Sequence, residues 1–303
     1  MRLLLCSLLC LSPLAATESR VVPFRLYTAF QHDPPAEVLS AIRTELEQLM
    51  APIGWDINWT SLSDAKGVTS KALAIVRFKG DCNLHSGAPN IELPHRLGET
   101  FVEKGEMLPF STIYCDVIRS LLTTPLMLSQ AQNPDYLFGR AVARVVAHEL
   151  FHILTGQKGH AAQGLAQEQL TAQELLSNTL RFQFDQVQSL RIKLVPILLA
   201  TNESVVERDE TSGYRTYILS GCSGCHGTAG QGTPWGPSLQ GPGKTYDSTT
   251  LEMWLKNRRS EMYRRARMLD VEWPSLERGQ IDALADYLMI LGKHPVQSSS
   301  VAR

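Results

Sequence analysis

The chain has 303 residues, long enough for two ordinary domains with separate cores. Apolar residues make up 44% and charged residues 19%, a mixture that excludes a disordered chain. Basic and acidic side chains nearly cancel, 29 against 30, so no strong overall field favours an anionic membrane, and no nucleic-acid partner is expected.

The N-terminus reads MRLLLCSLLCLSPLAATES, with a basic start, a short apolar run and small residues around Ala15 and Ala16. That is the pattern of a secretory signal peptide over 1–17, cleaved near Ala16 or Thr17. The run is too short to span a bilayer comfortably, and no later segment reaches the roughly 18 apolar residues of a transmembrane helix. An exported, soluble protein, periplasmic or secreted, is expected. Export also sorts the cysteines. Cys6 and Cys10 leave with the leader, Cys222 and Cys225 belong to CSGCH, and Cys82 and Cys115 remain in a compartment that permits a disulfide. Two unrelated buried thiols are the alternative to that pair.

PFRLYTAF (23–30) alternates like a strand. PPAEVLSAIRTELEQLM follows with Val38, Ile42, Leu46 and Leu49 at helical spacing and Pro35 near its start. DINWTSL, KALAIVRF and STIYCDVI (111–118) read as further strands, while GDCNLHSGAPNIELPHRLGET is rich in loop formers. A long helix is predicted through NPDYLFGRAVARVVAHELFHILTG, with Asn133 as cap, Pro134 in the first turn and Gly156 at the C-terminal end. Helices continue through 170–199. The polar stretch around 201–212 reads as a linker, 213–293 as a second compact unit, and 294–303 as a polar tail.

His148 and His152 stand four apart, one turn apart on one helical face, continuing the stripe Ala141, Val145. Two imidazoles so placed can meet one tetrahedral Zn²⁺. Glu149 lies next along the helix, where a carboxylate can take a proton from water activated by such an ion. HExxH on an apolar helix is a metallopeptidase signature. His32, His85, His95 and His294 lie in loops or near ends and read as surface histidines.

The stretch HELFHILTGQKGH resembles the zincin superfamily of zinc-dependent metallopeptidases, and residues 19–200 resemble it in the order of elements. The resemblance implies an α+β fold, a mixed sheet plus the active-site helix, and an edge strand that binds the substrate main chain, for which STIYCDVI is the candidate. The chain departs from the metzincin pattern: Gly156 is four residues after His152 and His160 four beyond that, and no Met lies between His160 and Met253. His160 is favoured as third zinc ligand. Glu168 and Glu174 are the alternatives, although Glu174 also fits a capping box with Thr171 in TAQE.

In CSGCH, two thiols spaced by two residues can add to the two vinyl groups of one haem, which puts His226 under the iron as proximal ligand. A bare CxxC could instead be a redox dithiol or half a zinc site. Residues 213–291 resemble an all-α class I cytochrome c domain. Gly213 and Tyr217 match the family's N-terminal helix, which approaches Tyr287 of ALADYL, and GPSL (236–239) matches the segment whose Pro lies by the proximal His. By that resemblance Met268 is the axial ligand opposite His226, with Met262 the alternative. The run from Lys256 to Arg267 holds six basic residues and one acidic, suited to haem propionates, to an acidic redox partner, or simply to a solvated face.

Together these readings describe an exported electron carrier with one haem c and a Zn²⁺ site, serving a redox partner protein and a peptide substrate. The alternative is a peptide-binding or docking module whose degenerate zinc site is tethered to the cytochrome.

Overall fold

The computed structural model describes residues 23–65, 72–87, 94–129, 131–201, 208–233, 235–241, 245–257, 260–268 and 273–293. The leader with Cys6 and Cys10, and the tail with His294, lie outside the described residues. The N-terminal region is a mixed sheet with helices; the C-terminal region is mostly helical.

Five strands form one sheet: β1 (Pro23–His32), β2 (Asp56–Ser61), β3 (Leu73–Asp81), β4 (Gly98–Glu103) and β5 (Glu106–Tyr114), in the order β2-β1-β3-β5-β4. All neighbours are parallel except β4, which runs antiparallel to β5 at the edge. Along β3 the alternation sends Ala74, Val76 and Phe78 into the core and leaves Arg77 and Lys79 exposed.

Two sequence expectations need correction here. STIYCDVI is a strand only to Tyr114; Cys115–Leu128 is a helix, α2, following α1 (Ala36–Met50). Its β-branched residues suggest a strand, but Ile118, Leu122 and Leu126 recur every four residues and are buried, so helical packing overrides propensity. The strand at this edge is β4, which begins in the last three residues of the stretch read as loop. A two-residue turn at Lys104 (φ 48°) and Gly105 (φ 91°) joins it to β5, with Glu103 opposite Glu106. Positive φ at both central residues is the geometry that matches strand twist in tight hairpins.

Cys82 and Cys115 form a disulfide joining the end of β3 to the start of α2. Beside it Arg119 pairs with Asp116 at 2.6 Å and donates to the carbonyls of Asp81, Asn83 and Gly87. Helix α3 (Pro134–Thr155) packs on α1 through a buried ion pair, Arg144 Nε to Glu45 Oε1 at 2.7 Å. Arg144 also donates to the carbonyls of Leu175 and Ser177, which pins the short helix α4 (Ala172–Leu176).

Helix α5 (Phe184–Thr201) leads toward the C-terminal region: α6 (Arg208–Leu219), α7 (Cys222–His226), α8 (Ser248–Lys256), α9 (Glu261–Met268) and α10 (Arg278–Lys293). Part of the stretch read as linker is thus the start of α6; residues 202–207 lie outside the described residues. A Cβ on Gly213 would come within 2.1 Å of the Ala283 carbonyl, so only glycine lets α6 cross α10 this closely. Tyr217 and Tyr287 pack at that crossing, ring centroids 5.4 Å apart. Among the described residues no helix is long and apolar enough to cross a membrane.

Candidate functional site

Helix α3 begins where Asn133 accepts a hydrogen bond from the Tyr136 N–H at 3.1 Å and Pro134 takes the first turn. It ends at Gly156, whose left-handed backbone (φ 69°) turns the chain back over the helix end. The turn carries His160 to the two helical histidines, with ring centroids 5.3 Å from His148 and 4.9 Å from His152. The ligand-capable atoms of the three all lie within 4.8 Å of one another.

Two backbone carbonyls decide the chemistry of the pair. His148 Nδ1 is 2.8 Å from the Leu165 carbonyl and His152 Nδ1 is 2.7 Å from that of Gln157. A carbonyl only accepts, so each Nδ1 carries the proton and each Nε2 a lone pair. Those Nε2 atoms face each other at 3.2 Å. Burial lowers both imidazole pKa values, that of His148 to about 4, so neither ring holds a second proton near neutrality. Two lone pairs at that distance repel unless a cation lies between them. Bonds of about 2.0–2.1 Å to a tetrahedral ion put neighbouring ligand atoms about 3.3–3.4 Å apart, so the residues present fit such an ion. The carbonyl anchors are the outer-shell partners that fix ligating imidazoles.

Neither carboxylate alternative joins this group. Glu168 is exposed. Both oxygens of Glu174 are engaged, Oε2 by the N–H and hydroxyl of Thr171 and Oε1 by Gln167, which completes the capping box.

Glu149 points at the edge strand. The Thr100 hydroxyl donates to Glu149 Oε2 at 2.7 Å and, its proton so used, accepts from Ser111 Oγ at 2.8 Å. Gly98 leaves the room, since a Cβ there would stand 2.7 Å from Glu149 Oε1. Burial pushes the carboxyl up to about 7; the Thr100 bond opposes this and the charge of Glu99 adds to it. Glu99 is held by Arg96 at 2.8 Å and by the Tyr114 hydroxyl. Sequence reasoning missed this polar row on β4 and β5 because it placed the edge strand elsewhere.

The second site centres on α7. His226 Nδ1 lies 2.7 Å from the Pro237 carbonyl, so Nδ1 is the protonated nitrogen and Nε2 the one an iron would meet. Thr233 Oγ1 donates to the Cys225 carbonyl and Tyr217 donates to that of Gly227, fixing the loop on both sides. Burial raises the pKa of both thiols, Cys222 to about 11. A reactive dithiol needs the opposite shift, so burial sets this pair apart from one.

Next to this loop lies a cavity of about 810 Å³, within the range of roughly 300–1,000 Å³ usual for cofactor pockets. Trp235, Tyr263, Met268 and Trp273 form its C-terminal wall. Arg191, also in its lining, is close enough to Cys222 and Cys225 to act on both electrostatically. Aromatic walls beside an attachment loop fit a porphyrin. Met268 borders the cavity while remaining 80% exposed; Met262 does not border it. Of the basic run, Lys256 pairs with Glu252, Arg264 and Arg265 pair with Glu261, and Arg267 lines the cavity. Arg258 and Arg259 lie outside the described residues.

No curated protein and no solved structure matches the chain. A family model, cytochrome c, matches residues 211–292, the helices α6 to α10 that surround CSGCH. The C-terminal region is a class I cytochrome c domain, and the N-terminal region carries a three-histidine cluster able to hold a metal.

Proposed function

We propose that the chain is an exported monohaem cytochrome c whose N-terminal region, residues 19–200, is a zinc-dependent metallopeptidase. The observation that carries the hydrolytic half is the pair of Nε2 lone pairs 3.2 Å apart, each fixed by a carbonyl on Nδ1, with His160 folded onto them. His148, His152 and His160 would hold the ion, which supplies Lewis acidity and lowers the pKa of water. Glu149 is the general base. It follows His148 on the same helix, its buried carboxyl is oriented by Thr100, and burial brings its proton affinity near neutrality, where a group can both take and return a proton. An extended peptide laid against β4 would continue the sheet, because an edge strand offers unpaired backbone groups.

The cytochrome half transfers single electrons to or from a redox partner protein. Cys222 and Cys225 would hold the haem covalently, and His226 and Met268 would be the side chains that bind its iron. Loss of the ligand-to-iron absorbance band in Met268→Ala would support that role, and an unchanged spectrum would reassign the ligand. The Cys82–Cys115 disulfide favours an oxidising compartment and so agrees with a leader over 1–17.

The deciding experiment is Glu149→Gln. Peptide cleavage should vanish with metal content and haem spectrum intact; persistence of cleavage would leave the docking reading, in which the cluster binds without hydrolysing.

A further inference from the structure

The cavity beside CSGCH has walls from both ends of the chain. Its C-terminal wall is aromatic, whereas the opposite wall is rich in arginine: Arg140 and Arg144 on α3, Arg181 before α5, and Arg191 on α5. Among the described residues Arg144 alone of these pairs with a carboxylate, that of Glu45. Arg140 and Arg191 are only 8% and 3% exposed, and each has a buried Nε with no hydrogen-bond partner. Among the described residues neither forms an ion pair. A guanidinium taken out of water without a counter-ion is unfavourable unless a ligand supplies one. Arg140 spends its other nitrogens on Asn178 and on the carbonyls of Leu176 and Ser177, so its charge is held in place beside the cavity by neutral groups alone.

The attachment loop is covered as well. Ser223 and Gly224, the middle of CSGCH, are buried. A Cβ on Gly224 would meet the Pro52 carbonyl at 2.5 Å, and Arg191 donates to that same carbonyl at 2.6 Å. The turn at 51–53 and helix α5 therefore close over the loop.

We propose that the haem site is shared between the two regions: Arg140 and Arg181 of the N-terminal region bind the haem propionates, and Arg191 with the turn at 51–53 clamps the attachment loop. This rests on the haem reading above. Arginine suits such a contact because its guanidinium stays charged when taken out of water and attracts a carboxylate. Arg140 stands eight residues before His148, about 12 Å along the same helix, so one rigid element would carry both the propionate contact and the zinc ligands.

The test is redox titration of the matured full chain as Arg181→Gln, Arg140→Gln and Arg140→Lys. Removing a cation beside the haem carboxylates favours the ferric state, so each Gln variant should shift the ferric-to-ferrous equilibrium about tenfold, roughly 59 mV lower for one electron. Arg140→Lys should shift it less. Red protein with the parent potential in both Gln variants would overturn the proposal. Should Arg140→Gln fail to fold, Arg181→Gln decides alone, because among the described residues Arg181 bonds only the Asn178 carbonyl, at 3.5 Å. A colourless parent would remove the haem reading itself, and this inference with it.

Discussion

The two halves of helix α3 do opposite things. Its C-terminal half gathers imidazoles through purely local devices: spacing of four, a glycine cap, a turn of four residues and two nearby carbonyls. Its N-terminal half presents arginines to a cavity whose far wall comes from residues 235–273, a long way along the chain. The histidine cluster is preformed by secondary structure, whereas the arginine cavity exists only while the two regions are docked. A site of the first kind tolerates loosening elsewhere; one of the second kind does not.

That contrast can be broken at several points. The largest effect belongs to Glu149→Gln, since a general base contributes about 10²–10⁴-fold to rate. Assays on a general peptide substrate should show that loss, with the haem spectrum untouched. Removing Glu45 as Glu45→Gln strands the buried Arg144 charge between α1 and α3, and breaking such a pair costs about 3–5 kcal/mol. Urea unfolding should register it, together with a weaker haem environment, because Arg144 also lines the cavity. A shift confined to stability with an unchanged haem spectrum would mean the two walls are less coupled than described.

Replacing Cys82 and Cys115 by alanine opens a loop of sequence separation 33, worth about 3–4 kcal/mol by chain entropy. The variant should unfold at lower denaturant concentration yet keep its metal, since the cluster depends on α3 and its own turn. Smaller still, Gly98→Ala crowds Glu149 Oε1, and such overpacking costs about 1–3 kcal/mol. It should slow peptide cleavage while leaving metal content at the parent level; full activity would show that β4 can retreat from the helix.

What could be read in the sequence follows the same division. Helix α3, its cap at Asn133 and its stop at Gly156 are local, and the cytochrome resemblance implied the glycine-dependent contact of α6 with α10. The edge strand was hidden because GETFVE mixes charged and small residues and follows a glycine- and proline-rich stretch. Its one legible signal was Lys104-Gly105 between two alternating runs. The switch from strand to helix at Cys115 was obscured by a β-branched run whose spacing of four only matters once the helix has a core to bury against. Nothing local announces the cavity. Arg140 and Arg191 carry no motif, and their meaning depends on a wall supplied by residues far away in sequence.

The central claim is that one chain binds a divalent ion through His148, His152 and His160 and a covalent haem through Cys222 and Cys225. Elemental analysis of the matured full chain beside His160→Ala tests it most directly. The account predicts equimolar zinc and iron in the parent, and iron alone in the variant. Zinc absent from the parent, or equally abundant in both proteins, would contradict it.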